Sequence, residues 1–257
     1  MKKKLSITIL YTLVISSMTM MASAFTIVID AGHGGDDFGA QGLHCFEKNI
    51  NLDVALQLGN SLSKEQQARV VYTRTTDKTV SLQDRTLIAN GIKADLFISI
   101  HCNSMPHDAV SRERVNGSTV YVMGQKTVDD NLKQIQRNVV IGDIINGNNL
   151  HQVPYDIDSA ESNIAYEMCQ NSIMSQSVYL ANSILNNLNI CANRKKIGLY
   201  QGDFVVLTHT VMPSVLIELD YISCPESERF MMSDKGVNEI VTAISKSVSL
   251  FINKFNK

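Results

Sequence analysis

Three residues that can bind a metal ion or transfer a proton follow or end apolar stretches of the chain. His33 follows one such stretch in a Gly-His-Gly-Gly turn, and His101 and Glu218 end two others. Short runs rich in Ile, Val and Phe without helical periodicity favour buried strands. In open α/β sheets the functional site lies just beyond the carboxyl ends of the strands. We therefore expect two imidazoles and a carboxylate to meet in one crevice, which is typical of a metal-dependent hydrolase.

Glu47 supplies a second carboxylate, at the start of the first predicted helix. Taken singly, it could simply face the helix dipole, and either histidine could be an ordinary turn or core residue. Together, two imidazoles and one carboxylate form the three-residue ligand set of a catalytic zinc ion, which leaves a coordination position for water. We therefore predict one Zn²⁺ per chain, bound by His33, Glu47 and His101.

Glu218 lies inside an otherwise apolar run, residues 213–219. A carboxylate is costly to bury unless it is paired or held near a metal, and burial raises its pKa toward the range useful for proton transfer. One alternative is a structural ion pair with Arg74 or Arg85. We favour a catalytic role for Glu218, because metal-assisted hydrolysis needs an acid that is not a ligand.

Four further residues have weaker assignments. Arg85 and Asn103 could bind substrate or could brace the edge of the sheet, and the sequence favours neither role. His44 could replace Glu47 as a ligand, although its loop position predicts a solvated side chain. The neighbouring Cys45 raises the possibility of a thiol nucleophile, which we disfavour because sequence adjacency does not create the required hydrogen-bonded geometry.

The first 24 residues are typical of an export signal: three lysines, then an apolar stretch over residues 5–21, then Ala-Ser-Ala. The alternative is an uncleaved anchor, but the apolar stretch is shorter than a bilayer span of about 20 residues. We predict a signal peptide over 1–24 and an exported protein. After cleavage we expect no stable membrane insertion.

Charge and cysteine content limit the remaining possibilities. Residues 25–257 carry 20 basic and 25 acidic side chains, a net charge of −5. This mildly acidic balance argues against nucleic acid as a partner. The five cysteines are an odd number without zinc-knuckle spacing, so we expect at least one free thiol and a fold that depends on its core.

The predicted elements alternate between strands and helices. This order indicates a single α/β domain over 25–257, with a largely parallel twisted sheet of about six strands and helices on both faces. Strands are predicted at 25–30, 69–72, 96–100, 118–123, 204–207 and 215–218. Helices are predicted at about 52–62, 82–90, 128–145, 161–188 and 240–251, with a loop at 146–159.

Ordered motifs across nearly the whole of 25–257 resemble a known family. The segments that carry the resemblance are 28–35, 38–40, 47–48, 73–74, 94–103 and 212–219. They resemble the zinc-dependent N-acetylmuramoyl-L-alanine amidases of the amidase-3 type, in a Bacteroidetes-like version. That version implies a periplasmic protein, with the outer surface or the medium as the alternatives. The resemblance implies hydrolysis of the amide between N-acetylmuramic acid and L-alanine in peptidoglycan or muropeptides. It assigns His33, Glu47 and His101 as zinc ligands and Glu218 as the catalytic acid/base.

Several positions depart from the family pattern. Asp220 and Cys224 stand where the family usually has Gly and Asn, and Cys102 replaces a small residue. Asp220 could raise the pKa of Glu218 by like-charge repulsion or could face away from it. The segment 134–138 lacks a glutamate that relatives often carry, so self-inhibition is left open. A catalytically impaired peptidoglycan-binding protein and a zinc carboxypeptidase are the alternatives, and no activator protein can be identified.

Overall fold

The computed structural model describes residues 24–66, 68–124 and 160–256. Its centre is a six-stranded sheet in the order β2-β1-β3-β6-β4-β5. The strands are β1 Thr26–Ala31, β2 Arg69–Tyr72, β3 Leu96–Asn103, β4 Ser118–Met123, β5 Lys196–Gly202 and β6 Ser214–Tyr221.

Strand direction explains where the candidate residues meet. Strands β2, β1, β3 and β6 are mutually parallel, whereas β4 pairs antiparallel with β6 and parallel with β5. The carboxyl ends of the four parallel strands therefore share one edge of the sheet. At that edge His101 of β3 lies opposite Glu218 of β6.

The helices cover the two faces unequally. They are α1 Glu47–Glu65, α2 Leu82–Gly91, α3 Ala160–Ala192, α4 Val205–Thr208, α5 Pro225–Met232 and α6 Asp234–Phe255. The long helices α1, α3 and α6 form the main core with one face, whereas α2 and the single-turn α4 contribute to a smaller core on the other. The predicted α/β architecture is confirmed, and its thinly covered face has room for a cleft.

The face of the sheet on which His101 and Glu218 project follows from the two-residue repeat of a strand. Phe97 of β3 and Leu216 of β6 belong to the smaller core. His101 and Glu218 lie four and two residues further along these strands, and so project on the same α2/α4 face. The cleft therefore lies on the thin side of the sheet, at its carboxyl edge.

Helix α2 begins where its sequence predicts. The Ser81 hydroxyl accepts a hydrogen bond from the Asp84 backbone N–H at 3.1 Å and lies 2.7 Å from the Asp84 carboxylate. Such a cap stabilises a helix by about 1 kcal/mol. Arg85 follows in the first turn, and its guanidinium group is held by hydrogen bonds to Asp30 and to the carbonyls of Val80, Ala31 and His33.

One predicted strand near the edge of the sheet is wrong, and another strand was not predicted. Residues 204–207 do not form a strand: Val205–Thr208 is a helical turn whose Val206 and Leu207 enter the smaller core. A four-residue apolar run fits a buried turn as well as a buried strand. The strand is instead Lys196–Gly202, an edge strand that is partly exposed and contains two glycines, so it lacks a strong hydrophobic alternation.

Some expectations fall outside the described residues: the signal peptide over 1–24, except for its last residue, the helix 128–145 and the loop 146–159. All five cysteines are free thiols, so the fold depends on its core as predicted. Within the described ranges, no helix is both long and apolar enough to cross a membrane.

Candidate metal centre

His33 lies in the turn that follows β1, in an unusual backbone conformation. Its φ is +60°, and Gly34 and Gly35 also have positive φ. A residue with a Cβ rarely adopts this region, and it persists only where its surroundings hold it. Here Arg85 donates a hydrogen bond to the His33 carbonyl at 2.8 Å, and Gly34 and Asp37 exchange two backbone hydrogen bonds across the turn. The turn is therefore fixed with its imidazole facing the cleft.

Glu47 is the first residue of α1, and its buried carboxylate is held by several donors. Its Oε1 accepts from the Cys102 backbone N–H at 3.0 Å and from the Asn51 amide at 3.2 Å, and its Oε2 accepts from the Ala40 N–H at 2.9 Å. Burial alone would raise the pKa of Glu47, but hydrogen bonds and charge from the two histidines outweigh it and lower the pKa. The carboxylate is therefore ionised and its orientation fixed.

The two histidines and Glu47 converge on a common point. His33 Nε2 lies 3.2 Å and His101 Nδ1 lies 2.9 Å from Glu47 Oε1, and the imidazole centroids are 4.9 Å apart. Neighbouring ligand atoms of a tetrahedral zinc ion with bonds of about 2.1 Å are about 3.4 Å apart. The observed spacing fits this geometry, and these atoms form a group that could hold a metal ion.

Asp37 lies behind His33, on the side away from Glu47. His33 Nδ1 is 2.8 Å from Asp37 Oδ2, which leaves Nε2 to face the common point. Burial lowers the pKa of His33, but hydrogen bonds and charge from Glu47 and Asp37 raise it to about 9. A carboxylate behind a ligating histidine fixes the ring orientation and increases its basicity. Asp37 is not among the residues predicted from the sequence, although its position four residues after His33 in the same turn is a usable signal.

Glu218 faces the same cleft without a comparable set of donors. Its Oε2 is buried and has no hydrogen-bond partner within the described structure. Burial is the largest influence on the pKa of Glu218 and raises it. The two histidines lower this pKa and the charge of Glu47 raises it, so that the net value is about 7. A carboxyl group with this pKa can both accept and return a proton near neutral pH.

The ion-pair alternative for Glu218 is wrong, because both candidate arginines bind elsewhere. Arg74 donates to the carbonyls of Ala31 and Gly32. Arg85 is 3% exposed, and its Nη1 lies 2.6 Å from Asp30 Oδ1. Of the two roles considered for Arg85, the geometry therefore favours bracing the strand end over contacting substrate.

Asp220 faces away from Glu218, because the β3–β6 pairing shifts register after His101 and Glu218 and the two-residue repeat is interrupted there. Its buried carboxylate accepts from the Gly117 N–H at 2.7 Å and pairs with Arg194 at 3.1 Å. Asn103 lies at the edge of the cleft, where its Oδ1 accepts from the Ser104 N–H. A role for Asn103 in substrate binding stays a prediction.

His44 and Cys45 are bound to a different carboxylate. His44 Nδ1 lies 3.0 Å from Glu228 Oε2, and the backbone N–H groups of both residues donate to Glu228 Oε1. His44 thus lies outside the three-residue group, and its side chain is 60% exposed although it is hydrogen-bonded to Glu228. Burial and the Glu228 charge raise the pKa of the Cys45 thiol to about 12. A protonated thiol is a poor nucleophile, which removes the cysteine alternative.

A cleft of about 580 Å³ contains all four principal residues. This volume suits a substrate of small-molecule size. The start of α2 forms one wall with Ser81 and Leu82, and the start of α4 forms the other with Phe204 and Val206.

Comparison with known proteins decides the family. The family model described as N-acetylmuramoyl-L-alanine amidase matches residues 27–249. The chain belongs to this amidase family. It is 29% identical to the N-acetylmuramoyl-L-alanine amidase AmiC of Escherichia coli over 227 residues, which cover 88% of this chain and 52% of AmiC. It is 28% identical to AmiA of Escherichia coli over 232 residues, which cover 90% of this chain and 77% of AmiA.

A solved amidase has the same fold. The crystal structure of an N-acetylmuramoyl-L-alanine amidase from Clostridium difficile matches with a TM-score of 0.66 and 24% identity, over 91% of this chain and 100% of that one. The chain thus spans the whole of that structure, but about half the length of AmiC.

Proposed function

We propose that this protein is a zinc-dependent N-acetylmuramoyl-L-alanine amidase, which hydrolyses the amide between the lactyl carbonyl of N-acetylmuramic acid and the L-alanine of the stem peptide. The observation that carries the proposal is the convergence of His33, Glu47 and His101 beside Glu218. Membership of the amidase family supports the substrate class.

Zinc is the metal that this ligand set fits best. Two imidazole nitrogens and one carboxylate oxygen are typical zinc ligands, and three protein ligands leave a position for water. When bound, zinc supplies a water of lowered pKa, near 7, and polarises the scissile carbonyl. The donors around Glu47 and the Asp37 carboxylate behind His33 hold the ligands in place before the metal arrives.

Glu218 performs the proton transfers. As a carboxylate it accepts the proton of the attacking water. As the neutral acid it returns that proton to the departing amine, which must leave protonated because a free amide anion is too basic. Its place across from His101, on the same face of the sheet, is where such a group is needed.

We propose that residues 1–24 are a signal peptide, that 25–257 form the catalytic domain, and that the enzyme acts in the periplasm. Lys2, Lys3 and Lys4 with the following apolar stretch and Ala-Ser-Ala support this. Mass measurement of the exported protein tests it: a mature chain that begins at Phe25 supports cleavage, whereas the full-length mass contradicts it.

Product analysis tests the activity. Purified peptidoglycan is incubated with residues 25–257 and with the Glu218→Gln variant, and soluble products are identified by mass spectrometry. Complete stem peptides with a free L-alanine amino group support the proposal. Stem peptides shortened at the carboxyl end indicate a carboxypeptidase instead, and peptidoglycan binding without release indicates an impaired binding protein.

A further inference from the structure

Three aromatic rings form a continuous surface on β4, β5 and the start of α4. The Tyr121 ring lies 5.0 Å from that of Phe204 in an edge-to-face arrangement and 6.0 Å from that of Tyr200. Tyr200 is 50% exposed and Phe204 is 37% exposed. We call Tyr121, Tyr200 and Phe204 the aromatic platform. Exposed aromatic groups that are held together in this way are typical of binding surfaces.

Two glycines of the edge strand allow the rings to lie close against the backbone. A Cβ at Gly198 would be 2.9 Å from the Tyr200 ring, and one at Gly202 would be 2.6 Å from the Phe204 ring. Either distance is too short for carbon atoms, so a side chain there would push the ring away. Glycine weakens a strand and is often found where another group must approach closely. The close packing of the Tyr200 and Phe204 rings therefore depends on glycine at these two positions of the strand.

The platform continues the wall of the cleft. Phe204 lines the cleft together with Glu218. Tyr121 follows two residues after Thr119, which lies opposite Glu218 in the β4–β6 pairing, so their side chains share a face. Burial and the nearby Glu218 charge both raise the pKa of Tyr121, which agrees with this proximity.

A sugar ring has the shape and chemistry that match this surface. A pyranose presents C–H bonds on one face and hydroxyl groups around its rim, so it stacks on flat aromatic rings while tyrosine hydroxyls bond its rim. We propose that the aromatic platform binds the sugar rings of the substrate glycan and thereby positions the lactyl side of the scissile amide beside Glu218. This inference rests on the proposed function, because it concerns the same cleft.

Binding of peptide-free glycan strands tests the platform separately from hydrolysis. Tyr200→Ala and Phe204→Leu should each weaken binding by between about twofold and tenfold, as expected for one lost stacking contact. Phe204→Trp should bind as tightly as the unmodified protein, because it keeps a flat ring. Phe255→Ala is the control: Phe255 is also 36% exposed, but it lies on α6 against Tyr179.

Kinetics on intact muropeptides supply the second readout. The Tyr200→Ala and Phe204→Leu variants should raise KM with little change in kcat and should retain their zinc. Glycan binding that is unchanged in these variants overturns the platform, and so does a Phe204→Leu variant that binds as well as Phe204→Trp. If the unmodified protein binds glycan but releases no stem peptide, the proposed activity fails and the platform stands.

Discussion

The start of α1 and the tip of β6 each place one carboxylate in the same cleft, and the protein treats the two groups in opposite ways. Glu47 accepts hydrogen bonds from backbone and side-chain donors and has a lowered pKa. Glu218 has a buried oxygen without a partner in the described structure and a pKa raised to about 7. Environment, not residue type, therefore sets the pKa of each carboxylate, and this difference suits Glu47 to the proposed role of ligand and Glu218 to the proposed role of proton carrier.

Local structure explains the difference. Glu47 is the first residue of a helix, whose dipole favours an anion, and donors from Ala40, Asn51 and Cys102 surround its carboxylate. Glu218 follows Val215, Leu216 and Ile217 on a buried strand, where burial penalises charge. Each of the following predictions tests one side of this contrast.

The largest effect is expected at Glu47. Glu47→Gln replaces an ionised ligand by a neutral amide, so the protein should lose its zinc and its measurable activity together. Metal content after dialysis against a zinc buffer, with peptide release on the same sample, measures both. Asp53→Asn is the control, since Asp53 is an exposed acid on the same helix. A Glu47→Gln variant that keeps full zinc occupancy would contradict the ligand assignment.

Glu218→Gln should give the opposite pattern, with zinc retained and turnover lost. Removal of a general acid/base lowers kcat/KM by about 10²–10⁴-fold. Initial rates of stem-peptide release measure the loss, and Glu226→Gln, at an exposed acid of α5, should have the unmodified rate. Near-normal turnover in Glu218→Gln would remove its assigned role.

The same variant should stabilise the metal-free protein at alkaline pH. The Glu218 carboxyl has a pKa of about 7 in the fold, against 4.5 as its ordinary value. The folded state therefore holds its proton more tightly, and stability falls as pH rises from 4.5 through 7. The loss amounts to about 3 kcal/mol, because one pKa unit corresponds to about 1.4 kcal/mol.

Urea unfolding in the presence of a chelator measures this difference. Glu218→Gln should be more stable than the unmodified protein by about 3 kcal/mol at pH 8. The two proteins should have equal stability at pH 4, where the glutamate is neutral in both states. An equal difference at both pH values would show that packing, not the charge, is responsible.

The smallest effect is expected at Asp37, whose carboxylate lies behind the proposed ligand His33. Asp37→Asn should keep the His33 ring in place but reduce its basicity, and so weaken zinc binding by about 10–100-fold. Competition with a chromophoric chelator measures this affinity. Asp36→Asn is the control, because Asp36 is the exposed acid that precedes Asp37 in the same turn. Unchanged affinity in Asp37→Asn would separate Asp37 from the metal site.

The sequence was sufficient to predict most of the fold, and the four residues singled out from it line one cleft. Strands β1, β3 and β6 are continuous apolar runs, and parallel strands bring their carboxyl ends to one edge, so residues far apart in sequence could be placed together. The helix predicted at about 82–90 likewise agrees with α2, which begins after the Ser81 cap.

The remaining features depend on contacts that a single segment does not reveal. The edge strand β5 escaped notice because Gly198 and Gly202 interrupt its pattern, and the purpose of these glycines is visible only with the rings above them. The opposite placements of Asp220 and Glu218 depend on Arg194 and Gly117, which are distant in sequence.

Zinc titration into the metal-free protein, followed by release of stem peptides from peptidoglycan, tests the central claim most directly. We expect no peptide release without zinc and a rate of release that increases linearly up to one zinc per chain. His101→Ala should release no peptide at any ratio of zinc to protein. Full peptide release by the metal-free protein, or restored release by His101→Ala at one equivalent of zinc, would contradict it.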